Sequence, residues 1–113
     1  MFTIDSGTQP KSLPQGLNKL VTYQLMLGLN IPQGGTVTDA QWEFFIKHMV
    51  APEFDNFTVQ DAVGYWKGER EPTKLLTICT SQRLKVLRIA DRYKAIFSQE
   101  AVAIQEFPPI VLR

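Results

Sequence analysis

Two residue types that carry much of enzyme chemistry are nearly missing from this chain. Cysteine occurs once, as Cys79, and histidine once, as His48. A single thiol excludes an intrachain disulfide and a thiolate metal cluster, and a single imidazole excludes a His-rich metal site. With one of each, neither a Ser-His-Asp nor a Cys-His arrangement has a spare part. Cys79 closes an apolar run that begins at Leu75 and reads as a buried, inert thiol. His48 lies between Lys47 and Met49 in a helical pattern and reads as a surface or boundary residue. No metal and no cofactor is expected. Any catalysis must rest on carboxylates, hydroxyls, aromatic rings and backbone groups.

An excess of charge of one sign is missing too. Twelve Lys and Arg stand against eleven Asp and Glu, a net charge of +1. That balance argues against non-specific binding to duplex nucleic acid, which depends on clustered cations. Long apolar runs are also lacking. The stretch from Met1 to Lys19 is polar and interrupted by Pro10, Pro14 and Gly16, so neither a signal peptide nor a membrane span is expected. The reading is a cytoplasmic protein without a nucleic-acid or membrane partner. There is no internal repeat. A chain of 113 residues reads as a flexible N-terminal arm over 1–19 and one domain over 20–113.

What is present is periodicity. Leu20–Leu29 alternates through Val21, Tyr23, Leu25, Leu27 and Leu29, a central strand. Asn30–Val37, with Pro32, Gly34 and Gly35, is a loop. Gly34-Gly35 lacks the spacing of a phosphate-binding loop and reads as a flexible connection. Thr38-Asp39-Ala40-Gln41 forms a capping box. The helix it opens runs to about Ala51, with Trp42, Phe45, Ile46, Met49 and Val50 on one stripe. Phe44 falls off the stripe, where another subunit can meet it.

Phe57–Trp66 alternates again, one side carrying Phe57, Val59, Val63 and Tyr65 with Asp61 interrupting the row. A carboxylate there needs solvent or a cationic partner. The next strand is expected over Thr73–Thr80, opened by Pro72. Thr80 or Ser81 then caps a helix to about Phe97. Leu84, Leu87, Ala90, Tyr93 and Phe97 mark one side of it, and Val86, Ile89 and Ile96 widen the stripe. Ala101–Phe107 is the last strand, before Pro108-Pro109 and a short apolar tail, Ile110–Leu112.

The order β-α-β-β-α-β is the α+β, ferredoxin-like pattern: a four-stranded antiparallel sheet with two helices on one face. Such a sheet leaves its other face bare. Several residues expected there are apolar, and the tail lacks a partner strand, so a closed homo-oligomer is expected.

The densest mixture of aromatic and charged side chains is Gly64–Lys74, between two strands. An aromatic pair, two carboxylates and cations at this spacing make either a polar pocket beside the sheet or a solvated hairpin. The candidate site residues are Tyr65, Trp66 and Glu71 from this stretch, with Asp61 and Glu100.

Two resemblances bear on these residues. Leu27-Gly28-Leu29, Trp42-x-x-Phe45, Val50-Ala51-Pro52-Glu53-Phe54, Gly64-Tyr65-Trp66, Glu71-Pro72 and Gln99-Glu100-Ala101-Val102 resemble, in unbroken order over about 20–107, an uncharacterised bacterial family often found on exported lipoproteins. That resemblance implies no reaction, and this chain departs from the family in showing no export signal. Gly64-Tyr65, Glu71, Cys79 and Gln99-Glu100-Ala101-Val102 are also similar to the phage-encoded S-adenosylmethionine lyases, although the loop from Tyr65 to Glu71 looks shorter here.

The second resemblance implies a cofactor-independent lyase that cleaves S-adenosylmethionine to 5′-methylthioadenosine and homoserine lactone in a pocket between subunits, a trimer being implied. Glu71 and Tyr65 would then be catalytic, Glu71 facing the cationic end of the substrate and Tyr65 orienting the reacting chain. Trp66 would offer a ring to the sulfonium, and Glu100 would bind ribose hydroxyls or the ammonium group. Asp61 joins them from the residue pattern alone. The rival readings are an oligomer that sequesters a nucleotide-like molecule, and a structural or protein-interaction module. In the plainest reading Glu71 only pairs with Arg70 or Lys74 at the surface, one of Tyr65 and Trp66 is core or interface, and Glu100 is solvated.

Overall fold

The computed structural model of the chain describes residues 20–107. The expected arm over 1–19 and the tail Ile110–Leu112 fall outside them. Strand β1, Val21–Gly28, lies in the middle of the sheet, where its alternation places Tyr23, Leu25 and Leu27 on one face. Helix α1, Asp39–Phe45, follows, then β2 (Thr58–Trp66), β3 (Glu69–Thr80), helix α2 (Arg83–Phe97) and β4 (Ala103–Phe107). The four strands order as β2-β3-β1-β4, and each neighbouring pair is antiparallel. The expected ferredoxin-like architecture is the one observed.

Both helices cover the face that carries Leu25 and Leu27. Register sets Leu25 against Leu76 and Tyr23 against Ile78. Trp42, Phe45 and Val50 from one helix, and Val86, Ile89, Ala90, Tyr93 and Phe97 from the other, close one core over them. Each fully buried aliphatic or aromatic side chain there is worth about 1.5–3 kcal/mol in transfer from water. The Tyr93 ring meets Phe45 edge-on at 5.1 Å and Trp42 at 6.2 Å.

Several boundaries differ from expectation for physical reasons. The capping box forms, Gln41 N–H donating to Thr38 Oγ1 at 3.1 Å and Thr38 N–H to Gln41 Oε1 at 2.8 Å. The helix then widens into a π-helical turn over Ile46–Val50, in which Ala51 N–H reaches back to Ile46 O. That widening lets Phe45 and Val50, both fully buried, point into the same core. In α2 the buried side is Val86, Ile89, Ala90, Tyr93 and Phe97, whereas Leu84 and Ile96 are 71% and 46% exposed. The helix therefore sits rotated from the broader stripe expected. Cys79 is exposed, because alternation in β3 sends Leu76 and Ile78 inward and Leu75, Thr77 and Cys79 to the other face.

Strand β3 begins at Glu69, three residues ahead of Pro72, so the proline lies inside a strand. Leu29 N–H donates to Pro72 O at 2.9 Å, which orients the proline nitrogen toward β1. The donor that Pro72 lacks is replaced from elsewhere: Val37 N–H donates to the Leu29 carbonyl at 2.7 Å. No acceptor is left stranded, which is the usual objection to an interior proline.

Candidate functional site

The face of the sheet away from the helices is lined mainly by small and polar residues. Gly28 on β1 pairs with Thr73 on β3, and Thr73 and Glu71 pair with Ala62 and Gly64 on β2. Met26 and Ala103 continue the row toward β4. Their low profile leaves a cleft of about 880 Å³, within the roughly 300–1,000 Å³ usual for small-molecule sites.

A hairpin overhangs this cleft. Lys67 and Gly68, with φ of 53° and 81°, form its two-residue turn, and positive φ at both positions is the geometry that matches strand twist. The tip reaches over the open face: Trp66 Nε1–H donates to Glu100 Oε1 at 3.0 Å, and Lys67 Nζ to Glu100 Oε2 at 3.0 Å. Glu100 precedes β4, and β2 and β4 are opposite edges of the sheet. These two bonds therefore bridge one edge to the other above β3 and β1. The Trp66 hydrogen bond, then the Lys67 hydrogen bond and charge, hold the Glu100 carboxyl below its ordinary range.

Glu71 lies beneath the bridge. Its carboxylate rests directly on the backbone of Gly28, where an added Cβ would meet Glu71 Oε2 at 2.4 Å. The Asn30 N–H donates to Glu71 Oε2 at 3.1 Å. Asn30 is fixed in turn, its carbonyl accepting from Gln99 Nε2 at 2.9 Å and its amide donating to Arg70 O at 3.4 Å. From the core side, the Tyr93 hydroxyl donates to Gly28 O at 2.6 Å. Burial first, and the Glu71 carboxylate second, push that hydroxyl above its ordinary range, so it stays a protonated donor. Glu69, Glu71 and Glu100 line the cleft against Lys67 as the one lining cation among the described residues. The site therefore favours a cationic ligand.

Three of the five candidates meet here: Glu71, Trp66 and Glu100 line the cleft. Tyr65 borders it along β2, but alternation turns its ring to the other face with Asp61, where it is 71% exposed. Asp61 pairs on that face with Lys74, whose ammonium also lies 5.7 Å from the Trp42 ring. The need of Asp61 for solvent or a cation is thus met away from the cleft. Sequence reasoning missed Gly28, Asn30, Gln99 and Lys67 as site residues. Gly28 carried a physical signal, since a glycine inside a strand marks a close approach, and Gln99 and Lys67 stood within stretches already singled out. Among the described residues no group of His, Cys, Asp and Glu is placed to hold a metal ion, and no helix is long and apolar enough to cross a membrane.

The chain belongs to the family described as "Protein of unknown function (DUF3574)", whose model matches residues 22–111. No curated protein matches it. Among solved structures it is similar to a phage SAM lyase in complex with S-methyl-5′-thioadenosine. That likeness has 18% identity and a TM-score of 0.57, and covers 80% of this chain and 81% of the other. It is also similar to a phage SAM lyase in the apo state, at 20% identity and a TM-score of 0.58, over 83% and 85% of the two chains. At such identities the likeness establishes the fold.

Proposed function

We propose that this member of a family without an assigned activity is a cofactor-independent lyase. It cleaves S-adenosylmethionine to 5′-methylthioadenosine and homoserine lactone, and the open-face cleft is its site. The observation that carries the reading is the Glu71 carboxylate, seated on Gly28 and held by the Asn30 amide inside an acidic cleft. The solved phage lyase with a bound thioadenosine, alike in fold, adds support.

The reaction demands little acid–base machinery, which suits a chain with one histidine. An oxygen of the substrate's own carboxylate attacks its γ-carbon, forming the C–O bond of the lactone. The bond from that carbon to sulfur breaks, and its electron pair returns to sulfur, which leaves as a neutral thioether. No proton moves. The protein must hold the methionine chain curled into a near-attack geometry, an effect worth several kcal/mol, and must shed water from the attacking group. Glu71 faces the cationic end of the substrate, and Trp66 offers a ring face to the sulfonium, worth about 0.5–2 kcal/mol. Glu100, already bonded to the hairpin tip, binds ribose hydroxyls or the ammonium group. A further copy of the chain, in a trimer, walls the open side of the cleft.

The two-residue turn at Lys67-Gly68 favours a second reading. So short a connection leaves few side chains to enclose a reacting substrate, as suits an oligomer that binds and sequesters a nucleotide-like cation. Incubation with S-adenosylmethionine, followed by mass spectrometry against a no-protein control, separates the two. Lactone and methylthioadenosine forming above the spontaneous rate, and lost in Glu71→Gln, establish the lyase. Intact substrate with thermal stabilisation of the protein establishes the binder, and intact substrate without stabilisation overturns both.

A further inference from the structure

We infer that Gly28 is a positioning residue for Glu71: its missing side chain is the seat that aims the carboxylate into the cleft. The inference rests on the reading of the cleft as a site for a sulfonium ligand. At Gly28 the three nearest heavy atoms to an added Cβ all belong to the Glu71 carboxylate, at 2.4, 2.5 and 2.6 Å. The contact is therefore between one backbone position and one functional group. The φ of Gly28 is not in the left-handed region, so conformational need does not explain a glycine here. Space does.

Two bonds keep that seat from adjusting. The Tyr93 hydroxyl holds the Gly28 carbonyl from the core side at 2.6 Å, and Leu29 N–H is bonded to Pro72 O at 2.9 Å. β1 cannot sink away from a new methyl group without breaking one of them. Glu71 is the free end of a flexible side chain and gives way more easily. A side chain at position 28 thus costs the fold little and expels the carboxylate from its bond to the Asn30 amide. In the native arrangement Oε2 takes the Asn30 N–H, which fixes the carboxylate plane and leaves Oε1 to a cation entering the cleft.

The test compares Gly28→Ala, Glu71→Gln and the double variant in the full chain, with S-adenosylmethionine as the cationic probe and S-adenosylhomocysteine as its neutral thioether counterpart. Gly28→Ala is expected to stay folded and to weaken S-adenosylmethionine binding at least tenfold. The thioether should change by less than about threefold, and Gly28→Ala should add nothing in the Glu71→Gln background. A general disturbance of the sheet would weaken both probes alike and would add to Glu71→Gln; either result overturns the inference.

A ligand-free readout separates failure of this inference from failure of the functional reading. The Asn30 amide proton resonance should move in Gly28→Ala as it does in Glu71→Ala, because both lose the bond to the carboxylate. If the resonance stays at its wild-type position in Gly28→Ala, the seat is not at Gly28, whatever the protein binds. If Gly28→Ala does not fold, Gly28→Ala/Glu71→Ala decides: it should match the stability of Glu71→Ala alone, and a cost that persists there overturns the assignment.

Discussion

The two faces of the sheet are built by the same strands, one residue out of phase, and they differ in nearly everything else. On the covered face Leu25, Leu27, Leu76 and Ile78 are 0% exposed and their identity is dictated by packing. On the open face Gln24, Met26, Gly28, Thr73 and Leu75 line a cleft, and their identity is dictated by what must be kept low or polar. One face explains why the chain folds, and the other holds the proposed site. Glu71 stands at the point where they meet. Its carboxylate lies on the open face, while the Gly28 backbone it rests on is held by a tyrosine of the core.

Changes on the two faces should break different properties. The largest effect on stability is expected at the centre of the covered face. Leu25→Ala should cost about 2–5 kcal/mol in urea unfolding, whereas Met26→Ala, next to it on the open face, should cost less than half as much. Equal costs would mean that the copy proposed to wall the cleft also packs on Met26, which concentration-dependent unfolding would confirm. Next comes the link between the faces. Tyr93→Phe leaves the Gly28 carbonyl without its donor and should cost about 1–3 kcal/mol. Unlike other core changes, it should also shift the Gly28 and Asn30 amide resonances and weaken ligand binding.

Smaller still is a change confined to the covered side. Thr38→Ala removes half of the capping box and should lower stability by about 1 kcal/mol, with ligand affinity unchanged; a matching loss of affinity would show that the faces are coupled more widely. The smallest effect is on pH. The Glu100 carboxyl is held below its ordinary range by Trp66 and Lys67. The bridge is therefore fully present above the ordinary glutamate value and is lost as pH falls through the lowered one. The Trp66 indole proton should report that loss in a nuclear magnetic resonance titration, and in Lys67→Met the transition should move to higher pH.

Much of the covered face was legible because burial imposes a period. Leu25 and Leu27 in β1 and the capping box before Trp42 carry their own address, and together they imply the order of elements. The rotation of α2 was not, because Leu84 and Ile96 extend its apolar surface beyond what Val86, Ile89 and Tyr93 need. Alternation alone placed Asp61 opposite to Trp66, yet a carboxylate near a site drew attention regardless of face. The cleft was half legible. Glu71, Trp66 and Glu100 stand out as charged or aromatic residues, but nothing local to Glu100 shows that a hairpin from the far edge will reach it. Gly28 and the Asn30 amide act through absence and through backbone, which side-chain chemistry does not announce.

Pro72 has a kinetic consequence as well as a structural one. Pairing between β1 and β3 ends at Gly28 and Thr73, so beyond the proline the backbone ladder of β3 continues only with β2, and the Asn30 bonds to Arg70 O and to Glu71 are side-chain ties. The sheet is thus divided into a broad slab and a narrow ribbon, and a two-stranded ribbon twists more strongly and opens at less cost than the slab it grows from. The amides of 64–66 and 69–71 should then exchange with solvent as one early unit, long before global unfolding. How quickly a molecule reaches Glu71 would be governed by that breathing of the ribbon, and the clock for it is wound at a proline rather than at the cleft.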